Sequence, residues 1–163
     1  MLLRPSDLVL EPTVRRLCRE PYPGHPKGCP NWGKKVGCPP RARLLENVLD
    51  LKAPVYLVHN RFCLVEHIDK LRQAHPTWSD RQLRCCLYWQ GTARKQLRQK
   101  VSEALCELIQ FSDFGPGDDP IVLYCPEACG VNVTRTMRRM GIRLEWPPMS
   151  FAYQVALIGH RRY

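Results

Sequence analysis

The stretch from Arg19 to Arg43 constrains this chain more than any other, because it holds six prolines, four glycines and two cysteines and carries no helical or strand periodicity. It is expected to be a loop. A loop of that length inside a compact domain is uncommon unless something ties it down. The residues available for a tie are Cys29, Cys38, His25 and a few aromatics, and a metal bound by them would supply the missing cross-link.

The rest of the chain alternates apolar runs with helical patterns. Thr13 to Leu17 is helix-like, and Ala42 to Leu51 places Leu44, Leu45, Val48 and Leu49 at helical spacing before Pro54, so a short helix is expected there. Val55 to Val58 is a buried-strand run, and Leu64 to Ala74 returns to a helical pattern with His75-Pro76 as its stop. Ser79 and Gln82 make a capping-box signature, after which Leu83, Leu87, Leu97, Val101, Ala104, Leu105 and Leu108 sustain one long helix with a possible break at Gly91. Gly115 to Pro120 is turn chemistry, Ile121 to Tyr124 a strand that runs into Cys125, Thr134 to Met140 a brief helix stopped by Gly141, Ile142 to Leu144 a short extended piece, and Phe151 to Ile158 the last strand. This order predicts an α/β fold: one domain over residues 1–163, a small mixed or parallel sheet of three to four strands, flanking helices, and the long Cys/Pro-rich loop.

A chain of 163 residues buries a core without needing disulfides. No apolar run approaches the roughly 18–20 residues of a membrane span. The opening Met1-Leu2-Leu3-Arg4-Pro5-Ser6-Asp7 lacks the apolar core and cleavage site of a secretory signal, so a cytoplasmic, non-membrane protein is expected. In a reducing compartment nine cysteines are not a disulfide framework; metal binding, catalysis or burial must account for them.

Three of them precede proline: Cys29, Cys38 and Cys125, with Cys129 four residues beyond the last. Cysteine before proline recurs at iron–sulfur ligands, where the ring stiffens the loop and removes an amide that would need a partner. Zinc knuckles offer two cysteines at C-x(2–4)-C spacing, tighter than the interval from Cys29 to Cys38 although Cys125-x-x-x-Cys129 could be half of one, whereas a cluster accepts ligands delivered singly by separate loops. Cys29, Cys38, Cys125 and Cys129 are therefore the candidate ligands, with Cys18 a fifth. Cys63, Cys85, Cys86 and Cys106 lie in or beside apolar helical stretches and read as small buried hydrophobes.

The segment Cys29-Pro-Asn-Trp-Gly-Lys-Lys-Val-Gly-Cys38-Pro-Pro resembles the cysteine-rich signature of a widespread prokaryotic family known only as predicted metal-binding proteins. The resemblance continues where Cys125 and Cys129 lead into a helix and then Met140-Gly141-Ile142, and together these parts cover about a third of the chain. That family carries a further cysteine shortly before the position of Cys29, where this chain has Pro26, and a denser downstream cluster. Cys18 is the substitute that the resemblance suggests. The resemblance implies a metal site and no particular reaction.

Two functions compete at this point. One is an iron–sulfur protein, of four-iron type, doing redox or sulfur chemistry on a nucleic acid or another anionic substrate, with Lys34, Lys35, His25 and Glu127 the nearest polar side chains in sequence. The other is a non-catalytic zinc protein that holds RNA or DNA on a basic surface, for which the net charge of +10 and the run Arg81, Arg84, Arg94, Lys95, Arg98 and Lys100 speak. Trp32, Trp78, Trp89 and Trp146 read as packing residues. No phosphate loop, nucleophile elbow or dinucleotide fingerprint is present.

Overall fold

Two apolar runs become the central strands of the sheet, and they are longer than their apolar cores suggest. A computed structural model describes residues 1–4, 6–22, 25–111, 113–115 and 117–163. In it β2 covers Val55–Cys63 and β4 covers Phe151–His160, paired antiparallel from Val55↔Gly159 to Cys63↔Phe151. The polar segment His59 to Cys63 joins the strand because the whole length of β4 is there to pair with it. β1 (Leu2–Leu3) borders β2, and β3 (Pro120–Leu123) borders β4, giving the order β1-β2-β4-β3.

The α/β class and the four strands agree with the sequence reading, but every ladder is antiparallel rather than mixed or parallel. The topology explains the difference. β2 and β3 are both antiparallel to β4, so they run parallel to each other across a helical crossover, and β4 is inserted between them. The strand–helix–strand pattern in the sequence is real; its two strands are simply not neighbours.

The crossover consists of α1 (Leu64–Ala74), α2 (Asp80–Leu83) and α3 (Cys86–Gln110). The capping box is formed: Gln82 N–H donates to Ser79 Oγ at 3.4 Å, and Ser79 N–H to Gln82 Oε1 at 2.9 Å. The helix expected from Ser79 onward breaks at Arg84-Cys85 and not at Gly91, which sits inside α3 facing open space. α3 lays Trp89, Ala93, Leu97 and Val101 on one face of the sheet, against Tyr56, Phe62, Ala152, Ala156 and Ile158. The buried Asn60 is satisfied there, donating to Ala93 O at 3.2 Å and Gln96 Oε1 at 2.9 Å.

The opposite face carries Leu3, Val55, Leu57, Val155 and Leu157, and it is covered by irregular chain and short helices: Leu45, Leu49, Val131, Val133 and Met137. α4 (Val133–Arg139) is capped by Asn132, whose side chain accepts from Arg135 N–H at 3.0 Å, and it ends before Gly141 in the left-handed region at φ 80°. The expected helix over Ala42–Leu51 is only a 3₁₀ turn at Leu45–Asn47, because Leu49 leaves it to bridge Arg161, and Asp50 N–H donates to His160 O at 3.0 Å. Ile142 to Leu144 forms no strand. Of the turn expected at Gly115–Pro120, Pro116 lies outside the described residues; within it Asp118 Oδ2 accepts from Gly115 N–H at 2.7 Å. Among the described residues no helix is long and apolar enough to cross a membrane.

Candidate metal centre

The cysteine region is assembled by backbone pairing between segments far apart in sequence. Val9 to Glu11 lies beside Gly130 to Asn132: Glu11 N–H donates to Gly130 O at 2.7 Å, Asn132 N–H to Val9 O at 2.8 Å, and Leu10 bridges Val131. Asn132 Nδ2 adds a bond to Glu11 Oε2 at 2.7 Å. This seam sets the 3₁₀ segment Pro12–Arg19, which carries Cys18, beside the 3₁₀ segment Pro126–Cys129, which follows β3 and Cys125. Gly130, at φ 87°, allows it: a Cβ there would stand 3.2 Å from both Pro12 Cα and Leu44 Cδ2.

A second close approach joins Cys18 to Cys29. Cys29 N–H donates to Cys18 O at 2.7 Å, and Gly28 packs directly on the same backbone. At φ 76°, a Cβ on Gly28 would meet Arg19 O at 2.7 Å and Cys18 O at 2.8 Å, so no side chain fits. Beyond Cys29 the loop turns back on itself, with Cys38 N–H donating to Lys35 O at 3.1 Å and Gly33 N–H to Pro39 O at 2.8 Å. The guanidinium of Arg15 then fastens the far side of the loop, its Nη2 donating to Pro40 O at 3.0 Å and Ala42 O at 2.8 Å.

The thiols so gathered feel one another. The Cys18 thiol is pushed up chiefly by burial, then by the negative charges that Cys29, Cys38 and Glu127 would carry, with Arg15 acting the other way. The Cys125 thiol is pushed up to about 11, again first by desolvation and then by Glu127 and Cys38, against the pull of Arg94. The loop pair, the Cys18 segment and the strand-end cysteine thus share one electrostatic neighbourhood. Cys129 belongs to it less clearly: it is 8% exposed and packs in the apolar cluster with Leu45, Val131 and Leu157, its thiol raised by burial, with Arg15 opposing. Among the described residues no three Cys, His, Asp or Glu side chains are gathered tightly enough to hold a metal ion as they stand.

Three residues of this neighbourhood were not singled out from the sequence. The Tyr22 phenol is raised by burial and then by Cys29, Cys86 and Cys18. Cys86, the first residue of α3, was read as core; it does pack on the Phe62–Trp89 cluster, but it also lies within electrostatic reach of Tyr22. The third is Arg15. No repeat or spacing marks any of them, although the vicinal pair Cys85-Cys86 at a helix start was a usable signal.

Other readings are redistributed. Cys63 and Cys85 are half-buried, while Cys106, expected in the core, is exposed on α3. Lys34 and Lys35 are exposed, and the His25 ring packs tilted against Tyr22, at 4.6 Å between centroids and 43° between planes. His59, His67, His75 and His160 lie on β2, α1, the α1 cap and β4. Trp89 is core and Trp78 half-buried, but Trp146 is 74% exposed. Arg94 and Arg98 share a face of α3, whereas Lys95 is turned about 100° away from Arg94, so the basic residues of this helix form no single stripe. Comparison with protein-family models, with curated proteins and with solved structures gives no match to this chain.

Proposed function

We propose that this protein binds an iron–sulfur cluster of the four-iron type through Cys18, Cys29, Cys38 and Cys125, and acts in the cytoplasm in redox or sulfur chemistry on an anionic substrate. The observation that supports this reading is the backbone pairing of the region: Cys29 N–H donates to Cys18 O at 2.7 Å, and the seam of Val9–Glu11 with Gly130–Asn132 sets the Cys18 segment beside the one that follows Cys125. Cys18 senses Cys29 and Cys38, and Cys125 senses Cys38, although the four come from three separate parts of the chain. Two glycines in the left-handed region hold the approach open, which makes it a built feature of the loop.

The donor chemistry favours a cluster over a single zinc ion. Zinc draws four sulfurs into one shell at about 2.3 Å from the metal, usually from two close knuckles, whereas eight residues separate Cys29 from Cys38. A cluster spreads its ligands over several irons, so thiols within electrostatic reach but out of contact suit it better. When bound, it would supply one-electron transfer, or a Lewis-acidic iron where a thiolate is lacking. The resemblance of the Cys29–Pro40 stretch to predicted metal-binding proteins agrees with a metal site, and the net charge of +10 agrees with an anionic partner such as RNA.

The test is anaerobic purification or reconstitution with iron and sulfide, followed by metal analysis and an absorption spectrum, on wild type and on Cys29→Ala with Cys38→Ala. The expected result is a brown protein with a broad band near roughly 400 nm, from thiolate-to-iron charge transfer, and its loss in the double variant. A colourless protein holding one zinc would overturn the proposal.

A further inference from the structure

The net charge of the molecule is concentrated in one short stretch. Arg15 to Arg43 carries a net +7 of the formal +10, with Glu20 its one carboxylate. Arg16 and Arg19 lie on the 3₁₀ segment Pro12–Arg19, Lys27, Lys34 and Lys35 in the loop, and Arg41 and Arg43 just past it; all seven are exposed. The backbone gathers them. Cys29 N–H donates to Cys18 O at 2.7 Å, which sets the chain at Lys27 beside the chain at Arg19. Gly33 N–H donates to Pro39 O at 2.8 Å, which folds the Lys34 end of the loop back on the Arg41 end. Arg15 Nη2 then holds Pro40 O at 3.0 Å and Ala42 O at 2.8 Å, the carbonyls that alternate with Arg41 and Arg43. Elsewhere arginines are paired with carboxylates: Arg4 with Asp7, Arg72 with Asp80, Arg135 with Glu11 and Arg161 with Asp119. Among the described residues none of the seven has such a partner.

We infer that this stretch is a binding surface for single-stranded nucleic acid, held through its phosphates. The inference names the anionic partner of the reading above and rests on that part of it; it needs no metal. Exposed cations gathered without counter-charges raise the local concentration of a polyanion, and each phosphate they neutralise releases condensed counterions. Reading a duplex takes a helix or a two-stranded ribbon that enters a groove, and the described residues of this stretch form no α-helix and no strand. A single strand follows an irregular surface and stacks its bases on aromatic and guanidinium planes. Trp32 is half-buried here, with the Arg19 guanidinium 5.8 Å from its ring centroid. An anionic membrane fits less well: the well-exposed large apolar side chains of the stretch are Leu17 and Val36, at 64% and 78%, too few for interfacial insertion.

The experiment is fluorescence anisotropy of a labelled oligouridylate of about 16 nucleotides, titrated with the full chain over a series of salt concentrations, with iron, zinc and sulfide counted on the same protein. The logarithm of the affinity is expected to fall linearly with the logarithm of the salt concentration, with a slope of about −3 to −5, from about four to seven phosphates at about 0.7 each. Lys34→Gln with Lys35→Gln should weaken binding at least about tenfold and take about 1.4 off the slope. Lys70→Gln with Lys100→Gln removes the same charge from exposed positions of α1 and α3 and should leave the affinity within about twofold of wild type. Circular dichroism reads the fold of each variant, and Arg41→Gln with Arg43→Gln repeats the test if the first pair does not fold. Equal weakening by the helix pair and the loop pair would overturn the inference, as would salt-independent binding, tighter binding of the same strand annealed to oligoadenylate, or capture by phosphatidylserine vesicles without binding of the oligonucleotide. A protein that binds the oligonucleotide but takes up no iron and sulfide fails the cluster reading and leaves this inference standing; a cluster-loaded protein that ignores the oligonucleotide fails this inference alone.

Discussion

The two faces of the sheet are covered in opposite ways. On one, a 25-residue helix, α3, lays a continuous apolar side on β2 and β4. On the other, no α-helix among the described residues exceeds the seven residues of α4, and the covering chain combines the apolar contacts of Leu45, Leu49, Val131, Val133 and Met137 with backbone bonds, two glycine contacts and one arginine. The first half is redundant, since many side chains each bury a modest area and no one of them decides the conformation. The second half is specified point by point. A region built in that way places particular atoms rather than maximising burial, which suits a site.

The largest expected effect tests whether the halves share one core. Leu157 lies at 1% exposure in the middle of β4 and faces the cysteine side. Leu157→Ala should cost about 2–5 kcal/mol by transfer and cavity terms, and chemical denaturation should show a single transition shifted for helix and for Tyr and Trp signals alike. A change confined to one set of probes would mean that the halves unfold independently.

Gly28→Ala separates them. A Cβ at 2.7 Å from Arg19 O, in the left-handed region, forces the Cys29 end of the loop away from Cys18. The cost is about 1–3 kcal/mol, as for strained backbone generally, and it is local. Iron and sulfide incorporation should fall at least about tenfold, the equivalent of 1.4 kcal/mol, while amide exchange in β2, β4 and α3 stays protected. Unchanged cluster loading would show that the approach of Cys18 to Cys29 is not part of the site.

Asn132→Ala is the milder version, since this one side chain both caps α4 and ties it to Glu11 Oε2. A loss of about 1 kcal/mol is expected. Faster exchange should appear in α4 and in Val9–Glu11 together, because the same residue serves both; exchange changing in α4 alone would show the seam to be held by its backbone bonds.

What was legible in the sequence follows the same division. α1 was read with its true bounds, the Ser79 cap was read correctly, and both long strands were located, because periodicity and capping are local signals that packing on a flat sheet reinforces. The insertion of β4 between β2 and β3 was not legible, since strand order is decided by closure of the whole sheet. β1, two residues long, carries no pattern at all. On the irregular face the Cys29–Cys38 loop announced itself by composition, whereas the 3₁₀ turn at Leu45 reads as a helix until the pairing of Leu49 with Arg161 is known. Arg15 and Tyr22 depend on long-range contacts of single side chains, and Gly28 matters through where Cys18 happens to lie.

The smallest effects are those of pH, and the two halves carry opposite signs. On the helix-covered side, burial holds the imidazole of His67 below 6.5, with Lys70 adding to it. A base depressed in the fold contributes stability that is full above 6.5 and is lost as the pH falls through that value. On the cysteine side, the Cys125 thiol rises from 9.0 to about 11, and Cys18 and Cys129 rise as well. A thiol raised in the fold contributes stability that is full below 9.0 and is lost as the pH climbs through about 11 in the metal-free protein. The same shift cuts the Cys125 thiolate fraction at neutral pH about a hundredfold, so the metal-free protein should be alkylated there far more slowly than a free thiol, although Cys125 is an exposed residue. Mass spectrometry of alkylation against time, from pH 7 to pH 11, reads this directly. Cys125 reacting at the rate of a model thiol at pH 7 would mean that the strand-end cysteine stands in open solvent, and would remove it from the constellation that distinguishes this half of the molecule from the other.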